Sequence, residues 1–261
     1  MNLYIMSRGR PTKQTTLHNI PLEWQKRTYV VHNNDESEQY NHIPQAIPAP
    51  TWVQNYSDKM QYLIDRIELH DGGIGVIMDD DLWFNKRIED QEKLRKPKSP
   101  SESSEIWQSM EELLQNTALV GIHPRQMGHN KKLPYVENGK IICVQGINTH
   151  LFPGDFERVN HYPILSDVWL NCQLLSRGIS NKLITTWVQD HGSCQAPGGC
   201  SIYRTPDMQK ECCEALEAKF SPYFKTVIKE PKSAKWMGGK RYDFRVQWKR
   251  MYEEGRSKRN L

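Results

Sequence analysis

Three consecutive aspartates, Asp79 to Asp81, are the residues whose type and spacing most directly indicate chemistry. They follow a short apolar run, Val76 to Met78, which is typical of a strand buried on both faces. Carboxylates crowded at the end of a strand repel one another unless a cation lies among them, and open α/β sheets bind ligands at that end. We therefore predict a divalent-metal site. The alternative is an acidic surface turn that binds no ligand.

The alternation of an extended chain assigns different roles to the three acids. Asp79 and Asp81 are expected to point to the same side and to share one ion. Asp80 then points away or acts through a water molecule.

A basic loop after the first predicted strand, Asn2 to Met6, is the second candidate for ligand binding. Its sequence runs from Ser7 to Gln14 and includes the cations Arg8, Arg10 and Lys13. A glycine and a proline within it favour a loop at the place where the first strand of an α/β sheet presents its ligand-binding turn. A diphosphate or a nucleobase is the expected ligand. The alternative is a solvated basic loop.

Two further elements carry candidate residues. Apolar spacing predicts a helix that includes Met60 and Ile67, and Arg66 lies near its opposite face, where it either reaches a phosphate or is simply solvated. A second helix is predicted to begin at an N-cap Ser166 and to end at Gly178. This pattern places Asp167 in the first turn, where a carboxylate either stabilises the helix terminus or serves as a catalytic base.

Glycines and loops complete the set of candidates. Gly198 and Gly199 allow close approach of the backbone to a ligand, or form a plain tight turn. The charged and proline-containing stretch 85–105 predicts a mobile loop that could close over a bound substrate.

Composition limits the class of protein. The 261 residues suffice for one large α/β domain or two small ones, and no apolar run is long enough to span a membrane. The N-terminus lacks the layout of a signal peptide, so we expect a cytoplasmic protein. The six cysteines show no zinc-finger spacing and are expected to be reduced.

The C-terminal region is strongly basic. Residues 225–259 contain 12 Lys or Arg and 4 acids, although the whole chain has a net charge of +4. This asymmetry indicates a polyanionic partner. Aromatic residues lie among these cations, namely Trp236, Tyr242, Phe244, Trp248 and Tyr252. They either stack on bases or form the core side of an amphipathic element.

The order of these elements over residues 2–205 resembles the GT-A glycosyltransferases, most specifically in Ile77-Met78-Asp79-Asp80-Asp81. The resemblance implies an α/β fold, a GT-A-like Rossmann-type mixed sheet flanked by helices with a basic C-terminal extension. It implies a nucleotide-sugar-binding catalytic domain over 1–205 and an extension over 206–261 that contacts DNA.

The resemblance also implies roles for individual residues. Asp79 and Asp81 would hold Mn²⁺ or Mg²⁺, and Asp167 would be the base. His191 would complete the metal shell; the alternative is a hydrogen-bonded loop histidine. In this chain Ser166 replaces the acid that usually precedes that base. The donor, expected to be a UDP-sugar, would be bound by residues of the basic loop and their neighbours: Ser7, Arg8, Arg10, Lys13, Arg66, Asp80, Gly198 and Gly199.

A narrower resemblance concerns the phage-associated branch called TET-associated glycosyltransferases. It depends on Ser7-Arg8-Gly9-Arg10 with Gln14 and Thr15, on Met78 to Asp81, and on Pro197-Gly198-Gly199. It implies transfer of a sugar to a 5-hydroxymethylpyrimidine in DNA, most simply 5-hydroxymethylcytosine, in the cytoplasm of an infected host cell. Competing hypotheses are a nucleotidyltransferase, a DNA-binding module without catalysis, and a metal-dependent nuclease.

Overall fold

The computed structural model describes residues 1–88, 93–125, 134–191, 198–230 and 241–259. The strands in these ranges are β1 (Asn2–Met6), β2 (Thr28–His32), β3 (Ala46–Pro48), β4 (Ile74–Asp79), β5 (Leu82–Arg87), β6 (Leu94–Arg95), β7 (Leu119–Pro124), β8 (Tyr135–Glu137), β9 (Val144–Asn148), β10 (Lys182–His191), β11 (Phe224–Lys229) and β12 (Arg241–Val246). The α-helices are α1 (Thr15–Asn19), α2 (Leu22–Gln25), α3 (Ser37–Tyr40), α4 (Tyr56–His70), α5 (Pro100–Leu114), α6 (Ser166–Ser176), α7 (Pro206–Phe220) and α8 (Trp248–Arg259).

The large sheet is mixed. Its strands follow the order β3-β2-β1-β4-β9-β7-β10-β5-β6, with β8 paired to β10. Strands β1 to β4 are parallel, β9 is antiparallel to β4 and β7, and β10 is parallel to β7. The predicted α/β class with a mixed sheet flanked by helices is therefore confirmed.

The strand order creates a crevice at the ends of β1 and β4. From β1 the chain proceeds outward to β2 and β3, and it then returns to place β4 on the other side of β1. Met6 at the end of β1 is paired with Asp79 at the end of β4. Since the chain leaves these adjacent strands toward opposite edges of the sheet, a ligand-binding crevice is expected between their carboxyl ends.

Alternate residues of the central strands fill two separate apolar layers. Val76 and Met78 belong to a cluster with α2 and α5, whereas Ile77 belongs to a cluster with α4, α6, α7 and α8. All three side chains are fully buried. Burial on both faces explains why this strand reads as a continuous apolar run.

The C-terminal region is built as predicted from strands and a last helix. Strands β11 and β12 form a two-stranded antiparallel sheet. Phe220, Phe224 and Met251 are buried in the same cluster as residues of the large sheet. The boundary predicted at residue 205 falls just before α7, and the region that follows shares the main hydrophobic core.

Several predicted boundaries were wrong. The stretch 85–105 contains the end of β5, all of β6 and the beginning of α5, so it is not one loop. Helix α6 is preceded by Leu165 in the left-handed conformation, and Ser166 is its first residue rather than its N-cap. Within the described residues, no helix combines the length and the apolarity needed to cross a bilayer.

Candidate active site

A cavity of about 280 Å³ lies at the crevice between β1 and β4. It collects most of the residues that the sequence singled out, although they are separated by up to 192 positions in the chain. Its lining includes Ser7, Arg8, Arg10, Asp79, Asp80, Asp81, Asp167, His191, Gly198 and Gly199. The three aspartates and two of the predicted cations, Arg8 and Arg10, thus line one common space. The expectation that Asp80 points away was wrong, because the strand ends at Asp79 and its alternation does not continue. Asp80 and Asp81 contact the same guanidinium nitrogen of Arg10.

Arg10 joins the basic loop to the acidic end of β4. Its Nη1 donates to Asp80 Oδ1 at 2.6 Å and to Asp81 Oδ2 at 3.0 Å. The other oxygen of Asp80 accepts from Ser7 Oγ at 2.6 Å, and Asp80 is only 3% exposed. Asp80 is therefore held as the anchor of the basic loop. Part of the repulsion among the three acids is compensated by a cation of the protein itself.

Asp79 is in a different electrostatic environment. Burial raises its pKa well above the usual range, and the charges of Asp81, Asp80 and Asp167 raise it further. Among the described residues, none forms an ion pair with Asp79. A partly buried carboxylate surrounded by like charges favours either a bound proton or a bound cation.

Asp167 lies in the first turn of α6, as predicted, and lines the same cavity. Burial raises its pKa, while the charges of Lys140 and Arg204 and the amide of Val168 act in the opposite direction. The Val168 amide donates to Asp167 Oδ1 at 2.9 Å. Its second oxygen receives no hydrogen bond from any other residue that the structure describes, which suits a group that must accept a proton.

The two glycines close the cavity over the basic loop. Gly199 donates its amide to the carbonyl of Arg8 at 2.9 Å. A Cβ on Gly198, which has φ of +96°, would lie 2.6 Å from Arg10 Cγ. The close backbone approach predicted at these glycines is therefore made, at least in part, to Arg8 and Arg10.

Two predicted residues do not line the cavity. Lys13, near the end of the basic loop, is exposed and is not part of the cavity lining. Arg66 lies toward the far end of α4 from the cavity, where its Nε donates to Tyr4 Oη at 3.3 Å and its guanidinium lies over the Tyr4 ring. Tyr4 Oη in turn donates to Asp71 at the end of that helix. His191, by contrast, lines the cavity at the end of β10.

Sequence reasoning missed residues that the fold brings to the cavity from β2 and α4. Asn33, directly after β2, is 3% exposed; its Nδ2 donates to the Val53 carbonyl, and its Oδ1 has no partner among the described residues. Lys59, on α4, is also 3% exposed and donates to the Ser7 carbonyl at 2.6 Å. The sequence offers one signal for Asn33, which is a polar residue directly after a strand. That signal indicates a site only when the fold shows that Asn33 lines the cavity.

The oxygen atoms at the end of β4 are the kind of ligand that suits a hard divalent cation. Carboxylate oxygens are the preferred ligands of Mg²⁺ and Mn²⁺. Among the described residues, no three His, Cys, Asp or Glu side chains form a complete metal-binding group. Mg²⁺ commonly uses only one or two carboxylates and completes its shell with water and substrate phosphates. Two carboxylates such as Asp79 and Asp81 are within the number of protein ligands that Mg²⁺ uses, and metal binding there stays a prediction.

Comparison of the sequence with protein-family models gives no match, and comparison with curated proteins gives none.

Proposed function

We propose that the protein is a metal-dependent glycosyltransferase that moves a sugar from a nucleotide-sugar, expected to be a UDP-sugar, to a hydroxyl group of an acceptor. The observation that carries this proposal is the convergence of Asp79, Asp81 and Asp167 with Arg8 and Arg10 on one cavity. This reaction requires carboxylates that bind a metal ion, a carboxylate that accepts a proton, and positively charged side chains that bind a diphosphate. The cavity contains residues of each kind.

The chain's own residues account for the chemical steps. Asp167 takes the proton of the acceptor hydroxyl while the oxygen of that hydroxyl forms a bond to the anomeric carbon of the sugar. The bond between that carbon and the diphosphate breaks, and the electron pair leaves with the diphosphate. Arg8 lies in the wall of the cavity, where its charge stabilises the departing group. Asp79 and Asp81, with His191 as a further candidate, would hold Mn²⁺ or Mg²⁺, which neutralises charge on the diphosphate.

We further propose that the acceptor is a 5-hydroxymethylpyrimidine, most simply 5-hydroxymethylcytosine, in DNA of a phage. Two observations support this acceptor: the sequence resemblance and the basic composition of residues 225–259. A base inside a duplex must be presented in a groove or flipped out, which costs a few kcal/mol. Contacts between cationic side chains and phosphates offset that cost.

The decisive experiment is mass spectrometry of nucleosides after hydroxymethylated DNA is incubated with the protein, Mn²⁺ and a panel of nucleotide-sugars. We expect one sugar adduct with the wild type and none with Asp79→Asn or Asp81→Asn. Asp167→Asn should lower turnover without weakening donor binding. The control is Asp155→Asn, which removes a carboxylate that is 74% exposed and outside the cavity.

Specific results contradict the proposal. Equal sugar transfer in EDTA and in Mn²⁺ would refute the role of the metal. Release of pyrophosphate from a sugar phosphate and a nucleoside triphosphate would identify a nucleotidyltransferase instead. Cleavage of plasmid DNA in Mn²⁺ would identify a nuclease.

A further inference from the structure

The two-stranded sheet β11–β12 has two chemically different faces. Cross-strand partners share a face, and successive pairs alternate between faces. On the first face, Phe224 is buried and stacks on Phe244 at 5.3 Å between ring centroids, and both contact the main core. This arrangement assigns Phe244 to packing rather than to base stacking.

The second face is cationic. Its cross-strand pairs are Lys225 with Arg245, Val227 with Asp243, and Lys229 with Arg241. We call these six residues the cationic face. It carries four cations and one acid, and Asp243 is paired with Lys229 at 2.7 Å. The remaining excess of positive charge is concentrated on one side of a narrow ribbon.

Lys225 and Arg245 are the unusual pair on this face. They are directly opposite each other, both are exposed, and neither forms an ion pair with a residue that the structure describes. Like charges at directly opposed positions destabilise an antiparallel pair. An arrangement that costs stability in the free protein is explained when an anion binds there.

The ribbon approaches the surroundings of the candidate active site through Phe244 on its first face, and the cationic face is on the other side of the ribbon. The Lys140 ammonium is 4.7 Å from the centre of the Phe244 ring, and the same charge acts on Asp167. Helix α8 is also basic, but its C-terminal half packs against the C-terminal end of α6, whereas Asp167 lies at the N-terminal end of α6. A Cβ on Gly178, just after α6, would lie 2.4 Å from Arg256 Cα. An α-helix rises 1.5 Å per residue, so that contact is roughly 15 Å along α6 from Asp167.

We propose that the cationic face of β11–β12 binds the phosphodiester backbone of the duplex DNA that carries the acceptor. Only the identification of this DNA as the acceptor rests on the proposed function. The dimensions are compatible, because the major groove of B-DNA admits a two-stranded β-ribbon. Lys225 and Lys229 are about 13 Å apart along their strand, which corresponds to roughly four base-pair steps along the axis of the duplex.

The test uses the full chain, without donor or metal, and a fluorescent 24-base-pair duplex of unmodified DNA. Fluorescence anisotropy between about 50 and 300 mM NaCl gives the slope of log affinity against log salt concentration. For the double variant Lys225→Gln/Arg245→Gln, we expect weaker binding and a slope smaller by about 1.8, since each lost phosphate contact contributes about 0.9. The charge-conserving variant Lys225→Arg/Arg245→Lys should retain the wild-type slope.

The matched control removes two charges from the same basic region but at the far end of α8. Lys258→Gln/Arg259→Gln should leave the slope nearly unchanged. The melting temperature of the ribbon double variant should be equal to or higher than that of the wild type, because a repulsive pair is removed. A lower melting temperature together with weaker binding would indicate misfolding and would count against the proposal.

Other outcomes overturn the proposal directly. They are an unchanged slope in the ribbon double variant, a larger loss in the α8 control, or binding to anionic lipid vesicles without binding to duplex DNA. The proposed function fails separately, because DNA binding through the ribbon without any sugar transfer would refute the enzyme and leave the DNA-binding face intact.

Discussion

Arg10 Nη1 lies 2.6 Å from Asp80 Oδ1, and this contact connects the loop after β1 to the end of β4 across 70 positions of sequence. The Asp80 side chain is 4% exposed and that of Arg10 is 12% exposed, so water screens the pair weakly. The ion pair fixes the positions of two neighbours that matter for the proposed reaction, Ser7 and Asp81.

Replacing Arg10 should therefore destabilise the fold as well as the site. For Arg10→Gln we expect the free energy of unfolding to fall by about 3 kcal/mol, since breaking a buried ion pair leaves an uncompensated charge. Urea denaturation at pH 7 measures the change. Combining Arg10→Gln with Asp80→Asn should cost less than the sum of the two single changes.

The control for Arg10 is Arg158→Gln. Arg158 pairs with Asp65 at 3.1 Å, but its side chain is 56% exposed. An exposed pair contributes at most about 1 kcal/mol, so this variant should be nearly as stable as the wild type. Equal effects of the two substitutions would contradict the special position of Arg10.

The acidic centre was predictable because its signal is local. A continuous apolar run identifies β4, and its abrupt end in carboxylates identifies the ligand-binding edge of the sheet. The pairing of Arg10 with Asp80 was not predictable, because it depends on the register between β1 and β4. Charged residues on β5, such as Lys86 and Arg87, made the end of that strand look like a loop.

The start of α6 was misjudged for a different reason. Ser166 has the residue type of an N-cap, but Leu165 adopts φ of +66° and precedes the helix instead. A leucine in the left-handed region is costly, and only the surrounding tertiary structure enforces it. The position of Asp167 was nevertheless correct, because a shift of one residue leaves it within the first turn.

Asn33 is expected to contribute to donor recognition. Asn33 lines the cavity, and its buried Oδ1 has no hydrogen-bond partner among the described residues, so we expect this oxygen to accept a hydrogen bond from an N–H or O–H of the donor. Loss of such a bond costs about 1.5 kcal/mol, which is roughly tenfold in affinity. Asn33→Ala should therefore raise the KM for the nucleotide-sugar about tenfold while kcat changes little.

Steady-state kinetics with varied donor concentration would measure this effect. The matched control is Asn34→Ala, since Asn34 is the next residue and is exposed. A fall in kcat with an unchanged KM would exclude the recognition role of Asn33.

Lys59 should make stability depend on pH in an unusual direction. Burial lowers the pKa of its ammonium to about 8, and the charge of Arg8 acts in the same direction against the opposing charges of Glu36 and Asp80. The unfolded chain has the ordinary lysine pKa of 10.5. Between these values the unfolded state binds more protons at this group, so the contribution of Lys59 to the free energy of unfolding rises with pH, by about 2 kcal/mol from pH 7 to 9.5.

Comparison with Lys59→Met isolates this contribution, because the variant lacks the titrating group. The difference in unfolding free energy between wild type and variant should shift by that amount in favour of the wild type as pH rises. The difference between the two proteins is the quantity to follow, because the raised pKa values of buried cysteines such as Cys200, Cys212 and Cys213 lower the stability of both proteins as pH rises. A difference that is independent of pH would show that Lys59 titrates normally.

Gly255 should be essential for the packing of α8 on α6. A Cβ at this position would lie 2.5 Å from the Ser176 carbonyl oxygen and 2.6 Å from the Gly178 nitrogen, which are backbone atoms that cannot rotate away. In an isolated helix, Gly to Ala stabilises by about 1 kcal/mol. Here we expect Gly255→Ala to reduce the free energy of unfolding by about 1–3 kcal/mol, because overpacking forces the helices apart.

Urea denaturation of Gly255→Ala and Gly154→Ala tests this prediction. A Cβ added to Gly154 would have no atom within 4 Å, and this glycine has no positive φ, so its substitution should have little effect or stabilise slightly. Helix α8 is anchored through Gly255, whereas the β11–β12 sheet is anchored through Phe224. Gly255→Ala should therefore leave the salt dependence of DNA binding unchanged at temperatures where the protein is folded. If the Gly255→Ala variant were as stable as the wild type, α8 would not pack on α6 through this glycine.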